Sequence, residues 1–313
     1  MAIPTRIIKR RIKSIRSTGK IMKAMELVSA SKMRKATQLT LATRPYARMI
    51  QETAEELGKQ TRPELYPYLV GYPRPQGREP SVLVVIIASD RGLCGGFNSQ
   101  LLKKTIEFVQ TRHGQSVRVI TVGSRAENAV RRAQLQIIAS FGSIANAPAF
   151  ERAQPIADLI LEEFAARRAD LVFMAYTDFK SALSQIPSVH QLLPVFSEAD
   201  LPKYQNMIDT ARSGDEETED RERKESSEQE ILFEPGADQV MKRLLPRMIE
   251  VRMYQAFLES AASEHSARMM AMRSAGDAAK DMQETLTFTL NQARQASITR
   301  EISEISAGKA ALE

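Results

Sequence analysis

The chain has 313 residues and a net charge of +6; 43% of its residues are hydrophobic and 26% are charged, as in a folded protein with a buried core. A single cysteine and three widely separated histidines are too few for a disulfide framework or a zinc site. The longest apolar run, residues 82–88, is too short to cross a bilayer, and the N-terminus lacks the apolar core of a signal peptide, so we expect neither a secreted nor an integral membrane protein.

Residues 1–58 are predicted to be an N-terminal coiled-coil segment, whose main helix runs from Thr5 to Arg44 because no proline lies between Pro4 and Pro45, and which could resume as a helix at 51–58. Apolar residues recur there at steps of three, four or seven, in the narrow stripe that a coiled coil needs. The members of this stripe are Ile8, Ile12, Ile15, Met22, Met25 and Val28, with Gly19 in the skipped position. We expect a break at Arg44–Pro45, because the residue before a proline disfavours the helical conformation.

The first 36 residues carry eleven basic side chains, and Glu26 is their only acidic one, so this segment has a charge of +10. A solvated helix face with so few carboxylates repels itself. The charge therefore favours an acidic partner, which is either a protein surface or a nucleic acid.

Residues 80–196 alternate between strand and helix patterns. We predict strands at 81–89, 117–122, 135–140 and 171–176, helices at 99–111, 124–133 and 150–168, and an edge element at 185–195. This alternation predicts an open α/β sheet of Rossmann-like type. The glycine-rich segment 89–98 follows the first strand but matches neither the dinucleotide nor the P-loop spacing, so we interpret it as a tight turn with Cys94 as a small buried residue.

The segment 197–230 has twelve acidic and five basic residues, a net charge of −7, and is predicted to be a loop. Beyond Pro246 no proline occurs, and a helical stripe runs to the C-terminal end with drifts of phase. It consists of Leu244, Met248, Val251, Leu258, Met269, Met272, Met282, Leu286, Leu290, Ala293, Ile298, Ile302 and Ile305. Residues 283–312 carry few charges, so we expect another protein to enclose this end.

A helix of 59 residues is about 90 Å long, which exceeds the width of a compact body of this size. The two terminal helices are therefore predicted to pair as a long antiparallel coiled coil that forms a stalk on the central α/β domain. The predicted segments are an N-terminal coiled-coil helix (1–58), the α/β domain (80–196), an acidic insertion loop (197–234) and a C-terminal coiled-coil helix (235–313). No catalytic constellation, metal site or cofactor motif is recognisable, so we predict a protein that is not an enzyme.

Four segments together resemble the γ subunits of F-type ATP synthases, over nearly the whole chain. They are RRIKSIRSTGKIMKAMELVSASKMRKA (10–36), SDRGLCGGFN (89–98), SARMMAMRSAGDAA (266–279) and LNQARQASITREISEISAGKAAL (290–312). The resemblance implies a rotary shaft that couples proton flow to ATP synthesis or hydrolysis and regulates ATPase activity and proton flow.

The same resemblance implies the partners and the location. The partners are the α and β subunits of the α3β3 hexamer, the ε subunit and the membrane c-ring, with no nucleic acid. The expected location is peripheral, through partners only, on the cytoplasmic face of a bacterial plasma membrane or on the stromal or cytoplasmic side of a thylakoid membrane.

The resemblance also implies contact residues with the hexamer. Met25 matches the position that couples rotation near an acidic loop of β, and four C-terminal residues match positions that contact β: Arg268, Arg294, Gln295 and Thr299. Plausible electrostatic contacts are Lys9, Arg10, Lys20 and Lys23.

Two other classes of protein compete with this interpretation. A basic coiled coil that binds nucleic acid would explain the charge of the N-terminal helix but not the charge-poor C-terminal end. An enzyme that uses a dinucleotide on the central sheet would need the glycine fingerprint that is missing here.

Because the acidic segment contains no cysteine, it cannot act as a thiol switch, and we hypothesise that it slows ATP hydrolysis by an electrostatic or steric effect. Deletion of residues 209–230 is then expected to raise the rate of hydrolysis relative to the rate of synthesis in the assembled enzyme. Equal rates of both reactions with and without the segment would reject the hypothesis.

Overall fold

The computed structural model describes residues 5–60, 66–73, 75, 77–112, 115–142, 144–146, 148–196 and 236–310. The predicted acidic loop and His113 lie outside these residues. The elements in chain order are α1 (Thr5–Gln60), α2 (Pro67–Val70), β1 (Val82–Ile87), α3 (Phe97–Gln110), β2 (Val117–Val122), α4 (Ser124–Arg132), β3 (Gln136–Phe141), α5 (Phe150–Ala165), β4 (Leu171–Phe179), β5 (Gln185–Leu193) and α6 (Ala237–Ala310).

The chain divides into two compact units. The paired-helix unit contains Met1–Lys32, Leu93–Gly95 and His265–Glu313, and the sheet unit contains Met33–Gly92 and Gly96–Glu264. The predicted fold class, long terminal helices with a central α/β sheet, is confirmed. Within the ranges given above, none of the helices is apolar over the length that a bilayer crossing requires.

The sheet unit contains one five-stranded sheet in the order β3-β2-β1-β4-β5. β1 pairs in parallel with β2 and with β4, β2 pairs in parallel with β3, and β5 joins β4 as an antiparallel edge strand. All six residues of β1, VLVVII, are buried. An uninterrupted apolar run, β-branched here at every position but Leu83, is what a central strand covered on both faces requires, because such a strand has no solvent-facing position.

The two faces of β1 contribute to separate apolar cores. Val82, Val84 and Ile86 lie in a cluster with residues of α3 and α4, including Leu101 and Val130. The other face belongs to a cluster whose members are Leu83, Val85, Ile87, Leu69, Ile156, Ile160, Phe164, Ile50, Met248 and further residues of α5 and α6. The sheet unit thus uses the parts of α1 and α6 that belong to it as one covering layer.

The predicted break at Arg44–Pro45 is wrong, because α1 continues through Pro45 and α6 likewise contains Pro246. The helix around Pro45 is held by tertiary contacts. The Thr43 hydroxyl donates a hydrogen bond of 2.8 Å to Gln255 Oε1, and Ala36 is buried against Ala261 and Ala262. These contacts offset the backbone hydrogen bond that a proline removes from a helix.

Gly123 joins β2 to α4 in a conformation that only glycine adopts easily, with φ at +91°. A Cβ atom there would lie 2.2 Å from the backbone oxygen of Ala88. Gly123→Ala is therefore expected to lower the free energy of unfolding by about 3 kcal/mol, measured by denaturant titration. Gly142→Ala is the matched control, since a Cβ there meets no heavy atom within 4 Å, and equal stability of the two variants would contradict the expectation.

Candidate interaction surface of the paired helices

The part of α1 in the paired-helix unit follows a strict heptad pattern of burial. Its buried and half-buried residues along one side alternate in steps of four and three: Ile8, Ile12, Ile15, Gly19, Met22, Glu26 and Ser29. On α6 the same alternation is followed by Met272, Gly276, Ala279, Gln283, Leu286, Leu290 and Ala293. We call these two sets of residues the seam, and their spacing is that of a coiled coil.

Two glycines bring the helices close together. A Cβ atom on Gly19 would lie 3.6 Å from Ala279 Cβ, and one on Gly276 would lie 4.0 Å from Met22 Cβ. The facing residue number falls from 279 to 276 as the number on α1 rises from 19 to 22. The pair is therefore antiparallel, as predicted.

Part of the predicted apolar stripe lies outside the seam. Val28 is 55% exposed, and Met25 is only half-buried. Two successive steps of three residues lead from Met22 to Val28, whose side chain points about 120° away from that of Met22 around the helix axis. The side chains of Glu26 and Ser29 stay within about 40° of the direction of Met22. On α6 the predicted stripe residue Met282 is also exposed, and Ala279 and Gln283 occupy the seam instead.

Met25 instead lies beside two exposed apolar residues on the outer surface of α1. Ile21, Met25 and Val28 follow one another at steps of four and three, so they share a side of the helix next to the seam. An apolar strip of this kind on a basic helix can pack against the apolar part of a partner.

A short segment of the glycine-rich turn completes this unit. A Cβ atom on Gly95 would lie 3.9 Å from Ala271 Cβ, and Cys94 is buried as predicted. The remainder of the turn belongs to the sheet unit.

An open groove of about 680 Å³ lies between the two helices. Its charged lining residues are Arg16, Lys20, Lys23, Glu26, Arg273, Asp277 and Lys280, so five positive charges face two negative ones. The predicted contact residues Lys20 and Lys23 belong to this groove, whereas the exposed Lys9 and Arg10 do not line it. The groove can therefore attract an acidic partner through charges on both helices.

The predicted contact residues of α6 lie in two separate places. Arg268 is half-buried, with its Nη1 3.5 Å from Nδ1 of the buried His265. Arg294, Gln295 and Thr299 are all exposed, about 39 Å or more from Arg268 along the helix. The two groups of predicted contact residues therefore lie at separate levels of α6.

Beyond Ala293 every residue of α6 from 294 to 307 is exposed. We call residues 294–307 the tip. Its apolar residues Ile298, Ile302 and Ile305 are 45%, 59% and 73% exposed. The steps of four and three place them on one side of the helix, about 120–180° around it from the last seam residue, Ala293, and no second helix among the described residues covers them.

Sequence reasoning did not identify Glu26, Arg273 and Lys280 as members of the groove. The hydrophobic pattern does not include them because they are charged. The heptad spacing from Ile8 onward is the signal that could have placed Glu26 on the seam.

Side-chain hydrogen bonds tie the glycine-rich turn to its own residues and to the start of α4. The Asp90 carboxylate accepts a 3.0 Å hydrogen bond from the Ser124 backbone N–H, at the start of α4. The Asn98 side-chain amide donates one of 2.8 Å to Ser89 Oγ, which itself donates one of 2.6 Å to the Arg91 carbonyl. The start of α4 thus holds a carboxylate of the turn, whereas the turn itself leads into α3.

The comparisons with known proteins agree over the whole chain. A family model described as ATP synthase matches residues 4–312. The ATP synthase gamma chain of Desulfitobacterium hafniense is 37% identical over 308 residues, with 98% of this chain and 99% of that one covered. The ATP synthase gamma chain of Herpetosiphon aurantiacus is 38% identical over 319 residues, with 98% of each covered.

Solved structures show the same fold. The match to a chain in the central stalk and c-ring structure of Tetrahymena thermophila mitochondrial ATP synthase has a TM-score of 0.55 at 25% identity and covers 82% of this chain and 99% of that one. The match to a chain in the rotor structure of Euglena gracilis mitochondrial ATP synthase has a TM-score of 0.62 at 18% identity and covers 94% and 98%.

Long terminal helices around a central sheet, with these structural matches, define a protein of the central-stalk class. The chain belongs to the ATP synthase gamma-chain family, which it matches over nearly its full length. This membership favours the gamma-chain interpretation over a nucleic-acid-binding coiled coil and over a dinucleotide-dependent enzyme.

Proposed function

We propose that the chain is the rotating shaft of an F-type ATP synthase. It transmits the rotation of a membrane c-ring to the catalytic sites of an α3β3 hexamer, and so couples proton flow to ATP synthesis or hydrolysis. Membership of the gamma-chain family supports this role. The structural observation that carries it is the tip, a helix end whose side chains are all exposed and which presents three isoleucines on one side.

The tip has the properties of a bearing. Burial of an isoleucine side chain stabilises a protein or complex by about 1.5–3 kcal/mol, so three exposed isoleucines on one side favour enclosure by an apolar sleeve. Its charged residues, Arg294, Arg300, Glu301 and Glu304, are two positive and two negative, so the tip has no net charge. A charged partner holds such a surface less strongly than it holds the basic groove, so the tip can turn inside a sleeve more freely.

The basic surface of the paired helices is suited to the transfer of force. We propose that Met25, Lys20, Lys23, Lys9 and Arg10 face acidic parts of the β subunits. A hydrogen bond between a cation and a carboxylate contributes about 1.5–3 kcal/mol, which biases an angle without locking it. Arg268, Arg294, Gln295 and Thr299 are proposed to contact β at two separate levels of the shaft.

The sheet unit is proposed to bind the ε subunit and the c-ring. The chain then associates with the membrane through its partners, on the cytoplasmic face of a bacterial plasma membrane or on the corresponding side of a thylakoid membrane. The chemistry takes place in the hexamer, so the shaft itself is not catalytic.

The function can be tested at the tip. Replacement of Ile298 and Ile302 together by Asp is expected to reduce ATP-driven proton pumping by at least about tenfold, because two carboxylates would lose water inside the sleeve. Pumping is measured with the reconstituted enzyme in vesicles, together with co-purification of the hexamer. The matched control, Ile298→Val with Ile302→Val, keeps the surface apolar and should pump normally. Normal pumping by the Asp variant would refute enclosure of the tip.

A second test concerns the Ile21–Met25–Val28 strip. Met25→Lys adds a positive charge at a moving contact, so its attraction to acidic β residues should become stronger and coupling should become weaker. We expect fewer protons pumped per ATP hydrolysed, with hydrolysis itself retained, whereas Met25→Leu should behave as the unchanged chain does. An unchanged ratio in Met25→Lys would count against the assignment of Met25.

A further inference from the structure

Glu26 is a charged residue at a position where the coiled-coil pattern calls for an apolar one. It follows Met22 on the seam by four residues and precedes Ser29 by three. Its side chain is 16% exposed and accepts a hydrogen bond of 2.9 Å from Lys23 Nζ. No other acidic residue occurs in the first 36 positions of the chain.

The surroundings of Glu26 explain how a carboxylate is tolerated at the seam. The groove beside it brings together basic side chains from both helices, among them Lys20, Arg273 and Lys280. A carboxylate near them reduces their mutual repulsion and keeps its own charge compensated. Asp277 is the other carboxylate that lines the groove.

Lys23 differs from its partner in exposure. Its side chain is 66% exposed, so its ammonium group is available at the surface, while the carboxylate that it contacts is nearly covered. A free lysine on a helix surface samples many rotamers, and that freedom is lost when it binds a partner. An anchor of low mobility restricts the lysine before binding and so lowers this cost.

We infer that Glu26 is a positioning residue that holds the Lys23 ammonium group in place for an acidic surface of the β subunit. The inference rests on the proposed function, in which Lys23 is one of the contacts that transmit force. Glu26 acts through Lys23 and not by its own contact, because its carboxylate is covered at the seam and is the acceptor of the Lys23 hydrogen bond.

The pair Lys103 and Glu107 on α3 shows what an ordinary surface pair looks like. Both side chains are exposed, and the charged atoms are 3.9 Å apart. Such pairs restrict their side chains little and contribute little to stability. The shorter distance and the covered carboxylate distinguish the pair at the seam.

A double-mutant cycle in the complete, vesicle-reconstituted enzyme tests the inference. The variants are Lys23→Gln, Glu26→Gln and the two combined, and the readout is the number of protons pumped per ATP hydrolysed. If Glu26 acts through Lys23, each single change lowers this ratio at least about twofold, and the combination lowers it no further than Lys23→Gln alone. Glu107→Gln serves as the control for loss of one carboxylate and should leave the ratio unchanged.

The outcomes separate the inference from the function on which it rests. No effect of Lys23→Gln would refute the proposed contact of Lys23, and with it the role of Glu26. An effect of Lys23→Gln with none of Glu26→Gln, or with effects that multiply in the combined variant, would overturn the role of Glu26 alone.

A second variant distinguishes positioning from a structural role. Glu26→Leu places an apolar side chain at the seam, which a coiled coil accommodates well, so the thermal unfolding midpoint of the chain should be retained or raised. Positioning predicts that coupling falls in this variant as in Glu26→Gln. Normal coupling in Glu26→Leu would show that only packing at the seam matters, and the inference would be wrong.

Discussion

A two-helix coiled coil can cover only one side of each helix, and this constraint determines what the paired-helix unit presents to its surroundings. The close approach at Gly19 and Gly276 uses small side chains, so the seam is narrow. Most residues of both helices here remain exposed, including apolar ones such as Val28 and Ile302. An isolated pair would gain little from such a surface, whereas a surrounding partner gains the burial that the pair itself cannot supply.

The central sheet could be predicted from the sequence because its signal is local. β1 lies between two covering layers, so all its positions are apolar and no helical period can be read into them. The seam could be predicted only in part. The seam residue that follows Met22 can come three residues later, at Met25, or four residues later, at Glu26. Polarity alone favours Met25, whereas the structure has Glu26 on the seam. The facing helix decides between them, and its register is not present in the local pattern.

Pro45 shows that a local sequence signal can also predict an interruption that the folded chain does not have. A proline inside a helix costs about 3 kcal/mol, which makes a break at Pro45 the reasonable local prediction. Burial of one large apolar side chain offsets about 1.5–3 kcal/mol, and α1 near Pro45 is held by the buried Ile50 and by the bond between Thr43 and Gln255. Two or three such contacts exceed the local cost, so the helix continues. The polar tip residues Arg294, Gln295 and Thr299, in contrast, were predicted as contacts from the family resemblance alone, because exposed polar side chains take no part in a hydrophobic pattern. The isoleucines of the tip belonged to the predicted apolar stripe.

The uneven distribution of charge in the paired-helix unit is consistent with two different tasks of a shaft. At 4 Å two opposite charges attract by about 4 kcal/mol in the effective dielectric of a protein surface, and this energy varies with the angle of a rotating helix. The basic groove can therefore create preferred angles opposite acidic partners. The same charge interactions at the tip would add preferred angles of rotation there, although the tip needs only to be kept on the axis. Isoleucine contacts are non-directional, so Ile298, Ile302 and Ile305 can hold the axis while the energy changes little with rotation.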